Sequence, residues 1–308
     1  MKLAVEFPSI VYREGRAGVV ALAQAIERIG FDQIDVFDHV VMGHPIEGRA
    51  SGPYPANMPI MEALAMLAFI TAVTERVGLG TEVLVLPQRQ PVLVAKQVST
   101  IDSLSGGRVR LGIGVGWQES EFDALGADFH SRGRAMDEAI ALMRACWSDP
   151  SISADGEHYP VEEMAMEPKP PAEAGLPIWI GGGSPAALKR TGTLGDGWLA
   201  GGGVSAGAEA IATIKRHAEQ AGRDPDALGF QSWLAPIPGG DDPNVSARAF
   251  IQDLDAIAAS AAAAAEAGFD WATINITAIF QNGARSSEQM AEVLETIHER
   301  LRREVGFE

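Results

Sequence analysis

The feature that most constrains this chain is a regular alternation of two kinds of segment. Short apolar stretches rich in Val, Ile and Trp take turns with longer amphipathic ones from one end to the other. Leu3–Phe7, Gln33–Phe37, Val77–Leu86, Val109–Gly114, Pro177–Ile180, Gly197–Ala200, Leu228–Ala235 and Trp271–Ile276 read as strands, being short, apolar and bounded by turn residues. Arg16–Gly30, Pro59–Glu75, Pro91–Leu104, Arg132–Trp147, Pro185–Leu194, Ala206–Gly222, Ala247–Gly268 and Ser286–Val305 read as helices. In the first of them Val19, Leu22, Ala23 and Ile26 recur at helical spacing, and Gly30 supplies a stop. A strand followed by a helix and another strand implies parallel pairing with helical crossovers. Eight such pairs in 308 residues point to a closed (β/α)8 TIM barrel. An open, doubly wound α/β sheet shares the alternation and is the competing architecture.

No composition break divides the chain, so residues 1–308 are expected to form a single barrel domain. Two segments interrupt the rhythm. Gly43–Asn57 is a polar loop with the length of a functional lid. The Pro-rich excursion at about 151–177 carries little helical period, and is expected to cover one end of the fold. Both are read as insertions that vary the substrate.

A net charge of −17 disfavours nucleic acid and anionic membrane surfaces as partners, since both demand an excess of Lys and Arg. No apolar run approaches the ~20 residues that span a bilayer, and the start, MKLAVEFPSI, lacks a signal-peptide core. A cytoplasmic protein is expected. The one cysteine, Cys146, excludes an internal disulfide and sits in a helical pattern as a core residue. There is no HExxH and no Cys/His cluster at zinc spacing, so no metal is expected.

In a barrel of this kind the chemistry gathers where strands end. Glu6, Asp38-His39, the loop after Leu86, Gly114–Glu121, Gly181–Ser184, Trp198–Gly203, Ser232-Trp233 and Asn275–Asn282 occupy those places. His39 is the natural proton donor or acceptor, because imidazole titrates near neutrality. Arg108–Phe122 reads RVRLGIGVGWQESEF: a strand running into Gly112, Gly114 and Gly116, then Trp117 and Glu121. Bare backbone beside an aromatic ring suits a flat ligand. Trp117 and Glu121, four apart, would share a face if helical. Arg132 and Arg134 follow at the start of a helix, where they can meet an anion or an acidic neighbour. In Gly181-Gly182-Gly183-Ser184-Pro185 an apolar strand meets three glycines, a Ser at N-cap and a Pro at the first helical position. Free N–H groups at the positive end of a helix suit a phosphate. Glu82 places a carboxylate inside an apolar strand, where it needs a partner such as Arg or an opening to solvent.

With these motifs assembled, the chain resembles the bacterial luciferase-like monooxygenase superfamily, and within it the oxidoreductases that use the deazaflavin coenzyme F420. GFDQIDVFDHV (Gly30–Val40), the block from Val77 to Trp117, SRGRAMDEAIALMRACW (Ser131–Trp147) and IWIGGGSPAALKRTGTLGDGWL (Ile178–Leu199) carry the likeness over nearly the whole length. The resemblance implies a flavin or deazaflavin at the C-terminal mouth of the barrel. Asp38 and His39 would lie beside the ring, His39 handling the proton. Glu82-Val83 would match a non-prolyl cis peptide that buttresses the ring. Gly112, Gly114, Gly116, Trp117, Glu121, Arg132 and Gly133 would line the ribityl and phosphate path, and Gly181, Gly182, Gly183 and Ser184 would take the phosphate. Sugar-phosphate dehydrogenases of this family have an acid where Trp117 stands, which argues against a sugar phosphate. The expected activity is hydride transfer between F420 and a small organic substrate. An FMN-dependent monooxygenase using oxygen and a reductase partner shares most of these motifs, and a cofactor-free ligand-binding barrel is a third reading. The likeness also implies a homodimer.

Overall fold

The computed structural model describes residues 1–50, 52, 54–171, 175–201, 207–236 and 247–304. In chain order these form β1 (Lys2–Glu6), α1 (Gly15–Ile29), β2 (Gln33–Val36), α2 (Ala63–Thr71), β3 (Gly78–Thr81), β4 (Leu84–Val85), α3 (Pro91–Ser105), β5 (Val109–Gly114), α4 (Glu119–Leu125) and α5 (Arg132–Ser148). There follow β6 (Ile152–Ala154), β7 (Val161–Met164), β8 (Ile178–Gly181), α6 (Pro185–Leu194), β9 (Gly197–Ala200), α7 (Gly207–Gln220), β10 (Gly229–Trp233), α8 (Ala247–Phe250), α9 (Leu254–Glu266), β11 (Trp271–Asn275), α10 (Ile276–Gln281) and α11 (Ser287–Glu304).

The sheet closes on itself. Its order runs β3-β2-β1-β11-β10-β9-β8-β5-β4, and β3 also pairs with β5. β3 and β4 are two pieces of one strand, parted at Glu82-Val83, where the peptide bond is cis. Counting that pair once gives eight parallel strands in a ring, which is the (β/α)8 barrel and not the open sheet. The sequence reading made Val77–Leu86 one continuous strand, because apolar residues flank the interruption on both sides. It also merged α8 and α9, and it did not separate α4 or α10 from the loops holding them. Ala206, where it began a helix, lies outside the described residues.

The helices bury their apolar faces on the barrel. Val19, Leu22, Ala23 and Ile26 of α1 are all buried, and Gly30 closes that helix at φ 106°. Each fully buried Leu or Ile in this shell contributes roughly 1.5–3 kcal/mol. Inside the ring the packing is aromatic and charged. The Arg110 guanidinium lies 4.3 Å from the centre of Trp179 and 4.7 Å from that of Trp271. Gly197 and Gly229 are bare because Trp179 occupies the space where their Cβ atoms would be.

The two interrupting segments lie in different places. The loop between β2 and α2 follows a strand and stands at the mouth. The excursion follows a helix, so strand direction starts it from the opposite end. Its residues form an antiparallel hairpin, β6–β7, along the outer face of α3 and α5. Lys169 donates to the carbonyls of Cys146 and Asp149, His158 meets Glu138 on α5, and Ser99 on α3 donates to Pro168 O. The segment was expected to cover one end of the fold; its described residues instead brace the outer faces of α3 and α5. Among the described residues no helix is long and apolar enough to cross a membrane.

Candidate active site

A cavity of about 240 Å³ opens at the C-terminal ends of the strands. Phe37, Asp38, His39 and Tyr54 line one side, and Val83, Val85, Gly114–Trp117, Gly181 and Gly182 the other, with Glu82 between.

His39 is buried, and its Nδ1 lies 2.9 Å from Glu121 Oε2. An ionised carboxylate can only accept, so the proton on this contact belongs to Nδ1, leaving Nε2 free to take or give one. Glu121 Oε1 also accepts from the Val40 and Val41 N–H groups, at 2.6 and 3.2 Å. Burial pushes the Glu121 carboxyl up, but the hydrogen bonds from His39 and the Val40 N–H hold it below the usual carboxylate range. It is therefore a fixed anion that orients the imidazole. Trp117 meets the His39 ring edge-on at 5.4 Å, and Tyr54 does so at 5.8 Å. Trp117 precedes α4, so it shares no helix face with Glu121. The turn nevertheless brings both to His39 from different directions.

Asp38 points elsewhere. Its oxygens accept from Arg89 Nη2 at 2.8 Å and from the Val85 N–H at 3.0 Å, and Arg89 also bonds Glu62. Asp38 thus ties the end of β2 to the strand piece beyond the cis peptide. Glu82 finds no Arg of its own. It accepts from Trp233 Nε1 at 2.7 Å and Gln231 Nε2 at 3.0 Å, while Arg110 pairs with Asp35 at 2.7 Å. Burial, then the charges of Asp35 and Glu6, pushes Glu82 well above the usual range. Glu6, at the end of β1, is raised to about 8 by burial and by Asp35, and its buried Oε2 has no hydrogen-bond partner. For Glu6 and Glu82 desolvation and like charges both disfavour ionisation.

The glycines divide into two kinds. A Cβ on Gly112 would collide with the Thr81 carbonyl, and one on Gly116 would lie 2.6 Å from Val85 Cγ1. Cβ atoms on Gly114 and Gly181 would each lie 2.7 Å from a methyl of Val83. Val83 therefore sits in a niche cut by two glycines on two strands. Gly183, by contrast, has open space, and Gly182 takes φ 108°. Ser184 Oγ accepts from the Ala187 N–H at 3.2 Å, capping α6. Gly182, Gly183 and Ser184 are exposed beside the cavity. Arg132 lies over the Phe129 ring at 3.7 Å and donates to Phe129 O. Gly133 presents its carbonyl to Arg190, whose other partner is Asp137. Neither Arg132 nor Gly133 lines the cavity.

Tyr54, Arg89, Arg110 and Gln231 escaped the sequence reading. Arg110 had a usable signal, a charge between Val109 and Leu111 in a strand buried throughout. Tyr54 had none, since it lies in a loop of no regular pattern. One group of possible metal ligands is present among the described residues, Glu138, Glu157 and His158, on the outer side of α5. Glu138 there already accepts from both the His158 N–H and Nδ1.

The relatives agree with this architecture. A protein of Mycobacterium tuberculosis without assigned function is 33% identical over 213 residues, 66% of this chain and 72% of that one. An F420-dependent glucose-6-phosphate dehydrogenase of Kribbella flavida is 29% identical over 230 residues, 72% of this chain and 65% of that one. Among solved structures, an F420-dependent secondary alcohol dehydrogenase superposes with a TM-score of 0.76 at 18% identity, covering 98% of this chain and 99% of that one. The family match runs from residue 3 to residue 304, so the chain belongs to the luciferase-like monooxygenases.

Proposed function

We propose that this protein is an oxidoreductase that exchanges a hydride between coenzyme F420 and a small organic substrate. The observation that carries the reading is one juxtaposition. A histidine with a free Nε2, oriented by a buried anion, shares a cavity with glycines that lead to a capped helix N-terminus. The first suits proton movement beside a ring, and the second suits a phosphate. F420-dependent relatives at about 30% identity support F420 as the ring in question.

The residues present fit such a coenzyme. Gly183, with open space around it, and Ser184 stand exposed at the start of α6, where a phosphate oxygen would meet N–H donors. Val83, seated between Gly114 and Gly181, gives the cavity an apolar wall for a flat ring. When bound, F420 would supply the hydride acceptor or donor. The protein's own part is to hold the substrate, exclude water and move a proton at His39 Nε2. Glu121 keeps Nδ1 protonated throughout, so that only Nε2 changes state. Trp117 and Tyr54 confine the imidazole from two sides.

The test uses purified protein titrated with F420 and with FMN, followed by ring fluorescence. F420 should bind. Tight FMN binding with no F420 binding overturns the reading in favour of the oxygen-using alternative. In the F420-loaded enzyme His39→Ala should lower turnover ~10²–10⁴-fold with a smaller change in F420 affinity, and unchanged turnover removes His39 from the chemistry.

A further inference from the structure

The cavity beside His39 is poor in cations, and its surroundings repeat that poverty at three levels. The first is the lining. Its side chains are aromatic, aliphatic or acidic, with His39 as the one basic group among the described residues. The second is the nearest arginines. Arg89 is held by Asp38 and Glu62, and Arg110 is held by Asp35 and Gln231 between two tryptophans. Both positive charges are already matched by buried carboxylates. The third is the sequence of four of the segments that follow strands in the chain; the segment after β1 carries Arg13, which is exposed and does not line the cavity. Residues 115–131, 182–184, 201–206 and 234–246 contain no Lys and no Arg, and the last of these carries Asp241 and Asp242. Arg49 lies across Trp117 in a separate pocket with Glu119 and Asp123, and donates to the His44 carbonyl. Arg285 covers the Phe280 ring at 4.6 Å.

An anionic substrate group placed here would lose its water and gain no counter-charge, a cost of several kcal/mol. It would also face the carboxyls of Asp38 and Glu82 in the cavity lining. An uncharged group meets no such penalty, and His39, whose Nδ1 is taken up by Glu121, can turn Nε2 toward it. We infer that the substrate end received beside His39 is uncharged and accepts a hydrogen bond, as a carbonyl or hydroxyl does, and that molecules bearing a phosphate or carboxylate at that end are excluded. This rests on the cavity being the substrate site of the oxidoreductase proposed above, and it names the class of molecule taken there.

Three probes built on one six-membered ring, each with a single polar end, test it: cyclohexanone, methyl cyclohexanecarboxylate, and cyclohexanecarboxylate. Each is titrated calorimetrically into the protein with and without F420. The ester should bind at least 10-fold more tightly than the carboxylate in both. Equal or tighter binding of the carboxylate overturns the inference, as does failure of both uncharged probes to bind. Arg248, whose side chain lies outside the described residues, is the first basic residue in sequence after residues 234–246. If the carboxylate binds well and Arg248→Ala abolishes that binding, the missing cation is Arg248 and the inference falls. Loss of F420 binding with the ester preference intact would remove the coenzyme assignment alone.

Discussion

Two strand ends in this barrel carry almost the same message in sequence and do opposite things in space. β5 ends through Gly112, Gly114 and Gly116; β8 ends in Gly181 and continues through Gly182 and Gly183. At β5 the missing side chains are filled by the protein itself: the Thr81 carbonyl against Gly112, Val83 against Gly114, Val85 and Phe122 against Gly116. At β8 Gly181 is filled by the same Val83, a Cβ on Gly182 would meet Ala187 Cβ in ordinary contact at 3.5 Å, and Gly183 looks out on space. A glycine run therefore has two physical meanings. One is close approach of the chain to itself, the other is close approach of something not yet bound. The carboxylates repeat the contrast. Glu121, beyond β5, is held ionised by its donors, whereas Glu6, at the end of β1, is held protonated by burial and by Asp35.

Substitutions can break this comparison in order of expected effect. Gly112→Ala should be the most damaging, because the atom in its way is backbone and cannot rotate aside. Overpacking costs ~1–3 kcal/mol where side chains give way, and more where they do not. The loss should appear as a steep drop in the urea midpoint or as failure to accumulate folded protein, and a midpoint near that of the parent would show that β3 and β5 can part.

The carboxylate contrast gives a pH dependence. With its pKa raised from 4.5 to about 8 in the folded state, Glu6 binds more protons folded than unfolded between those limits. Its contribution is then fully favourable below about pH 4.5 and is lost as pH rises toward 8. Relative to the parent, Glu6→Gln should gain stability as pH increases through that window, by an amount on the order of a few kcal/mol. Paired thermal melts at pH 5 and 8.5 check it, and a stability difference that does not change with pH would mean that Glu6 is ionised in the fold.

Gly114→Ala should cost ~1–3 kcal/mol by pushing on Val83, and the clash should shrink in the Val83→Ala background. A double-mutant cycle on stability measures this, with strict additivity counting against the shared niche. Ser184→Trp should act differently. It should weaken F420 binding ~10-fold or more, equivalent to ~1.4 kcal/mol, through bulk at the start of α6. Unchanged affinity would separate that helix from the phosphate. Gly183→Ala should be the mildest, within ~0.5 kcal/mol of the parent in stability, since nothing lies within 4 Å of the new methyl. A large destabilisation there would erase the distinction between the two strand ends.

Much of the site was legible beforehand because strand ends in a barrel converge whatever their sequence. His39, Trp117, Val83 and Gly182 sit where the alternation of strands and helices put them, around one cavity. The partners were not legible. Glu121 reaches His39 across 82 residues, Arg89 reaches Asp38 across 51, and Gln231 reaches Glu82 across 149. Nothing local to those residues announces the contact. The excursion after α5 illustrates the same limit, since its prolines and short apolar runs show an irregular segment without showing which end of the barrel it leaves.

The sequence by itself determined eight strand-helix units and their parallel pairing, because hydrophobic periodicity and turn residues are local properties; closure into a ring was decided by the tertiary pairing of β3 with β5. It also determined that Gly181–Pro185 would make a capped strand-to-helix turn, since Ser and Pro act on their own backbone. Only the tertiary structure decided which glycines make room for the protein and which leave room for a ligand. It alone decided, too, which of the buried acids carries a charge. Both depend on atoms brought from distant strands, through steric exclusion in the first case and through desolvation and neighbouring charge in the second.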